Sequence, residues 1–124
     1  MSPLTEEQQL AAVVAAINAR YPERPRAVDS DTAAKDPRNK IVVSLYRRFV
    51  APTRRSGIVT VSAGRITTQY AAALKATVSD FRGEVRAALE EQILPGDLGP
   101  IAFESSTATE PDGDLFVGSD TWTF

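Results

Sequence analysis

The chain has 124 residues, enough for one domain with one core, with 43% hydrophobic residues, 24% charged residues and a net charge of -2. These values argue against bulk disorder and against strong attraction to nucleic acid or an anionic membrane. The absence of both Cys and His removes disulfides, thiolate zinc sites, cysteine nucleophiles and the imidazole on which most general-base and metal chemistry relies.

No apolar run reaches the roughly 20 residues of a membrane span. The N-terminal "MSPLTEEQQL" is acidic where a secretory signal would be basic. The expectation is a soluble protein of a reducing cytoplasm.

The first element is a helix. Thr5 and Gln8 have capping-box spacing, and Glu6 and Glu7 sit where the helix dipole is positive. Leu10, Val13, Val14 and Ile17 recur at helical spacing, and Pro22 and Pro25 predict an end near Arg20. The stripe reads as core packing. From Tyr21 to Lys40 the composition turns to three prolines and dense mixed charge, which reads as a long solvated loop, mobile over about 22–40. Within it, Arg26–Asp29 is a candidate for a short edge strand.

"IVVSLYRRFV", Ile41 to Val50, reads as a strand with Ile41, Val43, Leu45 and Phe49 on one side. Val42, Tyr46 and Val50 occupy the other side, so both faces are partly apolar and an interior position is expected. After "APTRRSG" comes "GIVTVSAGRITTQYAA". It reads either as two strands turning at Ala63–Gly64 or as one long strand bent at Gly64. Ala-Gly is a poor two-residue hairpin turn, and Ile58, Ile66 and Tyr70 keep one alternation phase, so one strand is preferred. It would form a hairpin with Ile41–Val50, with the Arg-rich loop at its tip.

A second helix is predicted from about Thr77 to Ile93, capped by Thr77 with Asp80 and stopped by Pro95 and Gly96. Its buried face would be Val78, Phe81, Val85, Leu89 and Ile93. Gly83 inside it costs about 1 kcal/mol relative to Ala, which suggests close approach of another backbone. "PIAFESS" and "DLFVGSDTWTF" supply two last strands around the Pro-Asp-Gly turn signal of "TATEPDGD". Trp122 and Phe124 alternate at the end of the chain, so that strand is expected to be built into the sheet throughout. The fold class expected is α/β (α+β): a mixed, mostly antiparallel sheet with helices packed on it, in the order α-β-β-α-β-β.

Three constellations carry possible chemistry. Arg47, Arg48, Arg54 and Arg55, with Arg65 nearby in sequence, suit phosphate contact, salt bridges to a partner subunit or plain solvation. Glu110, Asp112 and Asp114 alternate as carboxylates on a hard cation do, but the calcium-loop pattern is incomplete, and Pro, Asp and Gly together encode a turn. Ser44, Ser56, Ser105 and Ser106 have no His for a base, no G-x-S-x-G elbow and no motif pairing them with Lys75. Phosphate-binding glycine loops are absent too. No catalytic, cofactor-binding or metal-binding residue is assigned, and a non-enzyme is expected.

The run of elements resembles the tail terminator proteins of long-tailed bacteriophages. The residues that carry the resemblance are "GRITTQYAAALKATVSDFRGEVRAALEEQIL", then "GPIAFESS", "EPDGD" and "LFVGSDTWTF", with "VVSLYRRFVAP" and the capped first helix fitting the same plan. Tyr21–Lys40 matches poorly. The resemblance implies a small single-domain protomer, six copies of which close into a ring on the last ring of the major tail tube protein. That ring halts tube growth and offers a docking surface to head-completion proteins at the neck of the virion, after assembly in the host cytoplasm.

DNA would pass through the ring, but the near-neutral charge favours protein contacts over a DNA clamp, and neither a membrane nor a cofactor is implied. The family carries no catalytic residues across. On chemistry alone, Arg47, Arg48, Arg54 and Arg55 are the candidates for a protomer or tube contact, with Asp112 and Asp114 as acidic counterparts. Another neck component, such as a head-tail adaptor or stopper, and a cellular small-ligand or interaction domain are the rival readings.

Overall fold

The structure, a computed structural model, describes residues 5–20, 27–29, 40–47, 54–55, 58–59, 64–95 and 100–124. The first helix, α1, spans Glu6–Asn18 and starts on the expected capping box. The Gln8 N–H donates to Thr5 Oγ1 at 3.2 Å, and the Thr5 N–H donates to Gln8 Oε1 at 2.9 Å. Val13 and Ile17 are fully buried, and Leu10 and Val14 pack against the same core. A short strand, β1 (Ala27–Asp29), lies parallel to β2 (Lys40–Arg47) and forms one edge of the sheet. The rest of the expected 22–40 loop, like Phe49 and Val50, lies outside the described residues.

Strand β2 is interior, as its two-sided apolar pattern implies. It pairs β1 on one side and β5 (Gly64–Ala72), antiparallel, on the other, from Lys40↔Ala71 to Arg47↔Gly64. Arg54–Arg55 (β3) and Ile58–Val59 (β4) pair with each other in a two-stranded sheet, and β5 begins at Gly64. The expected single strand bent at Gly64 depends on residues 60–63, which lie outside the described residues. Gly64 exchanges main-chain hydrogen bonds with Phe124 at 3.0 and 3.1 Å, and a Cβ at this position would overlap the Phe124 ring. A glycine facing a cross-strand aromatic in this way lets the ring cover its backbone.

The second helix, α2, spans Lys75–Leu89 and starts two residues before the expected Thr77. No side chain caps it. Leu74 is the N-cap, and its carbonyl accepts from the Thr77 and Val78 N–H groups. Val78, Phe81, Val85 and Leu89 are buried as expected, but Ile93 is 64% exposed. The helix stops at Leu89 because Glu90 is extended and Glu91 takes φ of 60°. That turn breaks the helical phase and tucks Leu94, not Ile93, into the core. Gly83 approaches no backbone: a Cβ there would meet nothing within 4 Å.

Strands β6 (Ala102–Ser106) and β7 (Glu110–Asp112) both pair antiparallel with β8 (Leu115–Thr123), end to end along its outer side. The acidic turn is thus half strand. Gly113, at φ 63°, opens the tight connection to β8, where a glycine is needed. The sheet order is β1-β2-β5-β8-β6 with β7 beside β8, mixed because of β1–β2 and antiparallel elsewhere. The fold class is therefore the expected α+β.

Register sets Val43, Thr68 and Asp120 side by side, and likewise Leu45, Ile66 and Trp122. These residues face the helices. Helix α1 covers β1 and β2, while α2 covers β5 and β8. No helix among the described residues is long and apolar enough to cross a membrane.

Because Gly83 is exposed and has open space beside it, Gly83→Ala should stabilise the protein by up to about 1 kcal/mol through helix propensity alone. Urea unfolding followed by circular dichroism checks this. A lower midpoint than the parent would mean that the glycine serves the fold after all.

Candidate functional site

The most chemically specific feature lies under α2. Period-two alternation on β5 and β8 aims Thr68, Tyr70, Asp120 and Trp122 at the helix, and Arg82 comes down from it. The Arg82 guanidinium, 20% exposed, pairs with the Asp120 carboxylate, 7% exposed. Arg82 also donates to the Ser119 carbonyl at 3.2 Å and to the Thr107 carbonyl at 2.5 Å. Tyr70 Oη donates to Asp120 Oδ2 at 2.8 Å. Its one proton being used there, the Thr68 hydroxyl donates to the phenol oxygen at 2.7 Å, and Thr68 Oγ1 accepts from Trp122 Nε1 at 3.4 Å.

The result is a directed chain from indole to hydroxyl to phenol to carboxylate, closed by a guanidinium. No buried side-chain N or O among the described residues lacks a partner. The arginine reaches its partners because Gly118, opposite Tyr70, carries no side chain: a Cβ there would collide with Arg82 Nη2. Arg82 Cζ then lies 5.2 Å from the Tyr70 ring centroid. Burial holds the Tyr70 phenol proton far above the ordinary range, helped by the Asp120 carboxylate and opposed by the Thr68 hydrogen bond and the Arg82 charge. This arrangement keeps protons in place. The ion pair and the neutral phenol lock helix to sheet, and Arg82, Asp120 and Trp122 also line a cavity of about 210 Å³ beside them.

None of these residues was singled out from the sequence as a site. The signals were present: a charge, Arg82, directly beside the apolar stripe residue Phe81, and Asp120 in phase with Trp122 and Phe124. Polar residues in phase with an apolar alternation are what a buried network leaves in a sequence.

The structure separates the expected contact residues. Arg47 ends β2 opposite Gly64, Arg54 and Arg55 form β3, and Arg48 lies outside the described residues. Val59 is only a few residues from Gly64, so the β3–β4 hairpin is tethered to that end of the sheet. Asp112 and Asp114 are at the opposite end, where Ala72, Phe116 and Pro111 align across β5, β8 and β7. The length of β5 puts about 26 Å between the two ends. Arg65 joins neither group, bonding Glu104 across β8 at 3.1 Å in an exposed pair of small energetic value.

Glu110 and Asp112 rim a groove on the face of the sheet away from α1 and α2, floored by Val42, Ala71 and Val117, with a volume of about 580 Å³. No three metal-binding side chains converge among the described residues. Ser44 lies on β2, Ser105 and Ser106 on β6, Lys75 at the start of α2, and Ser56 outside the described residues.

Two measurements probe the lock. Arg82→Met strands a buried carboxylate and should cost about 3–5 kcal/mol, with Asp120→Asn in the same chain recovering part of the loss. Independent, additive losses in the double-mutant cycle would show that the pair is not coupled. The second readout is pH. A phenol whose folded-state pKa is raised contributes stability present in full below the ordinary tyrosine value of about 10, and lost as pH rises above it. Thermal melts should therefore fall more steeply above about pH 10 in the parent than in Tyr70→Phe, although the variant is the less stable at pH 7.

Comparison with protein-family models finds none that matches this chain, and comparison with curated proteins finds no match either.

Proposed function

We propose that this chain is a phage virion structural protein resembling tail terminators. Its copies close into a ring, of six in the family's manner, on the end of the tail tube. The ring stops tube polymerisation and presents a surface to the head-completion proteins of the neck. The observation that carries the reading is the pole-to-pole placement of charge. The arginine hairpin is tethered at one end of the sheet, and Asp112 and Asp114 sit at the other. Opposite charges attached to opposite ends of β5, a strand about 26 Å long, suit pairing between successive copies. Such contacts are head-to-tail, the class that closes into rings. The residue pattern supplies the identification with tail terminators, and the absence of a nucleophile–base pair in the sequence supports a structural role.

A second reading, a small-ligand domain, is favoured by the groove of about 580 Å³ on the open face of the sheet, a volume within the range of ligand sites.

Tail tubes assembled from the major tube protein and mixed with this chain should show capped ends and halted elongation in electron micrographs. Arg54→Glu with Arg55→Glu should abolish capping, as should Asp112→Arg with Asp114→Arg. All four substitutions in one chain should restore it, since the attraction is rebuilt with its sign reversed. Tubes that grow on past the parent protein defeat the terminator reading. Capping that survives either charge reversal defeats the assigned contact and leaves the terminator reading standing. Free DNA should bind weakly at physiological salt; tight binding with a steep salt slope, abolished by arginine substitution, would mean a DNA-facing hairpin.

A further inference from the structure

Strand β7 decides the charge at one end of the open face of the sheet. Its register sets Glu110 beside Val117 and Asp112 beside Leu115, with Pro111 between them opposite Phe116. Alternation therefore puts both carboxylates on the face away from the helices. Acids two residues apart on one strand face stand about 7 Å from each other, so a single cation can lie within reach of both. Both are exposed, and among the described residues neither has an ion-pair partner.

The surface next to them is apolar. Val42, Ala71 and Val117 are half-buried and floor the groove of about 580 Å³ that Glu110 and Asp112 rim. That volume lies within the range of small-molecule sites. One wall is set in advance. The Thr107 N–H donates to the Ser119 carbonyl at 2.9 Å, and the Ser119 N–H donates to the Thr107 hydroxyl at 2.9 Å. Those polar groups are occupied with each other. Gln69, also in the lining, is exposed, and its carboxamide makes no hydrogen bond among the described residues.

The surrounding charges leave the rim negative. No basic side chain is part of the groove's lining among the described residues. On the same face, Lys40 aligns with Ala71, then Val117, then Glu110. Three strand spacings, about 14 Å, separate the Lys40 and Glu110 backbones, which is more than the screening length of about 8 Å at physiological salt. Arg65, toward the other end of β5, is engaged by Glu104 at 3.1 Å. Lys75 begins α2, on the opposite face, and Arg82 reaches the sheet from that face and is paired with Asp120. Asp114, two residues beyond Asp112, adds a third carboxylate to this end.

We propose that the groove binds a small organic cation, an ammonium or amidinium group carried on a flat apolar body. The body lies on Val42, Ala71 and Val117, the cation sits between Glu110 and Asp112, and Gln69 meets a polar substituent. The two unpaired carboxylates select against an anion of the same shape. A bare divalent ion is a poorer occupant, because it needs more oxygen ligands than this pair offers. The inference rests on the small-ligand reading, and it gives Asp112 a task other than the ring contact.

Tryptamine, tryptophol and indoleacetate share one flat ring system and are respectively cationic, neutral and anionic at neutral pH. Titrated into the full chain and followed by amide shifts in the NMR spectrum, tryptamine should half-saturate below about 2 mM, as suits a ligand of its size, with the largest shifts at Gln69, Ala71 and Val117. Tryptophol should bind about fivefold more weakly, the scale of two exposed charge pairs, and indoleacetate should not saturate. Glu110→Gln with Asp112→Asn, both at exposed positions, should leave the melting temperature in place and erase the preference for the amine. Ala71→Phe, which lays a ring over the floor from a strand position, should abolish binding of all three. The carboxylate variant carries the test by itself should Ala71→Phe fail to fold. Equal binding of the three compounds in the groove, or a preference for the amine that survives loss of both carboxylates, would overturn the proposal and leave the small-ligand reading standing. No saturation by any of them, or shifts centred away from the groove, would overturn both. Tube capping in the same preparations reads the terminator function separately.

Discussion

A buried charge pair sets the rest of the molecule. Taking Asp120 and Arg82 out of water costs several kcal/mol per ion, and mutual attraction offsets that only when every remaining donor and acceptor is matched. The surroundings of the pair are that matching. Tyr70 covers the second carboxylate oxygen, Thr68 covers the phenol, and the carbonyls of Ser119 and Thr107 accept two more guanidinium N–H groups. Gly118 is small so that Arg82 can pass. Even the break between β6 and β7 follows from the same constraint. The Thr107 carbonyl goes to the arginine, and the Ser119 N–H that faces the break is met by the Thr107 hydroxyl at 2.9 Å. Side chains finish what the ladder leaves open.

This lock fixes α2 against β8 by directional bonds, in addition to the apolar contacts of Phe81, Val85 and Leu89. Apolar packing alone tolerates small slides of a helix over a sheet, whereas a guanidinium divided among three acceptors does not. The flank of α2 is thereby held at a set distance from β6.

The parts legible in the sequence were those governed by local chemistry or by a clean period. Thr5 and Gln8 announced their capping box, Ile41, Val43 and Leu45 announced a strand, and Trp122 announced its burial. The misreadings share a cause: a tertiary contact outweighed a local rule. The contact of Gly64 with Phe124 left no local signal, because Phe124 is far along the chain. Ile93 continued the helical phase on paper, but Glu91 at positive φ ended the helix first, and the main-chain bonds between Gln92 and Ile101 and between Glu91 and Ile101 fixed the new direction. Gly83 was read as a contact when it is a space. The buried network was hidden because Arg82 and Thr68 each look like ordinary surface residues until register brings Thr68 to Asp120 and packing brings Arg82 to both.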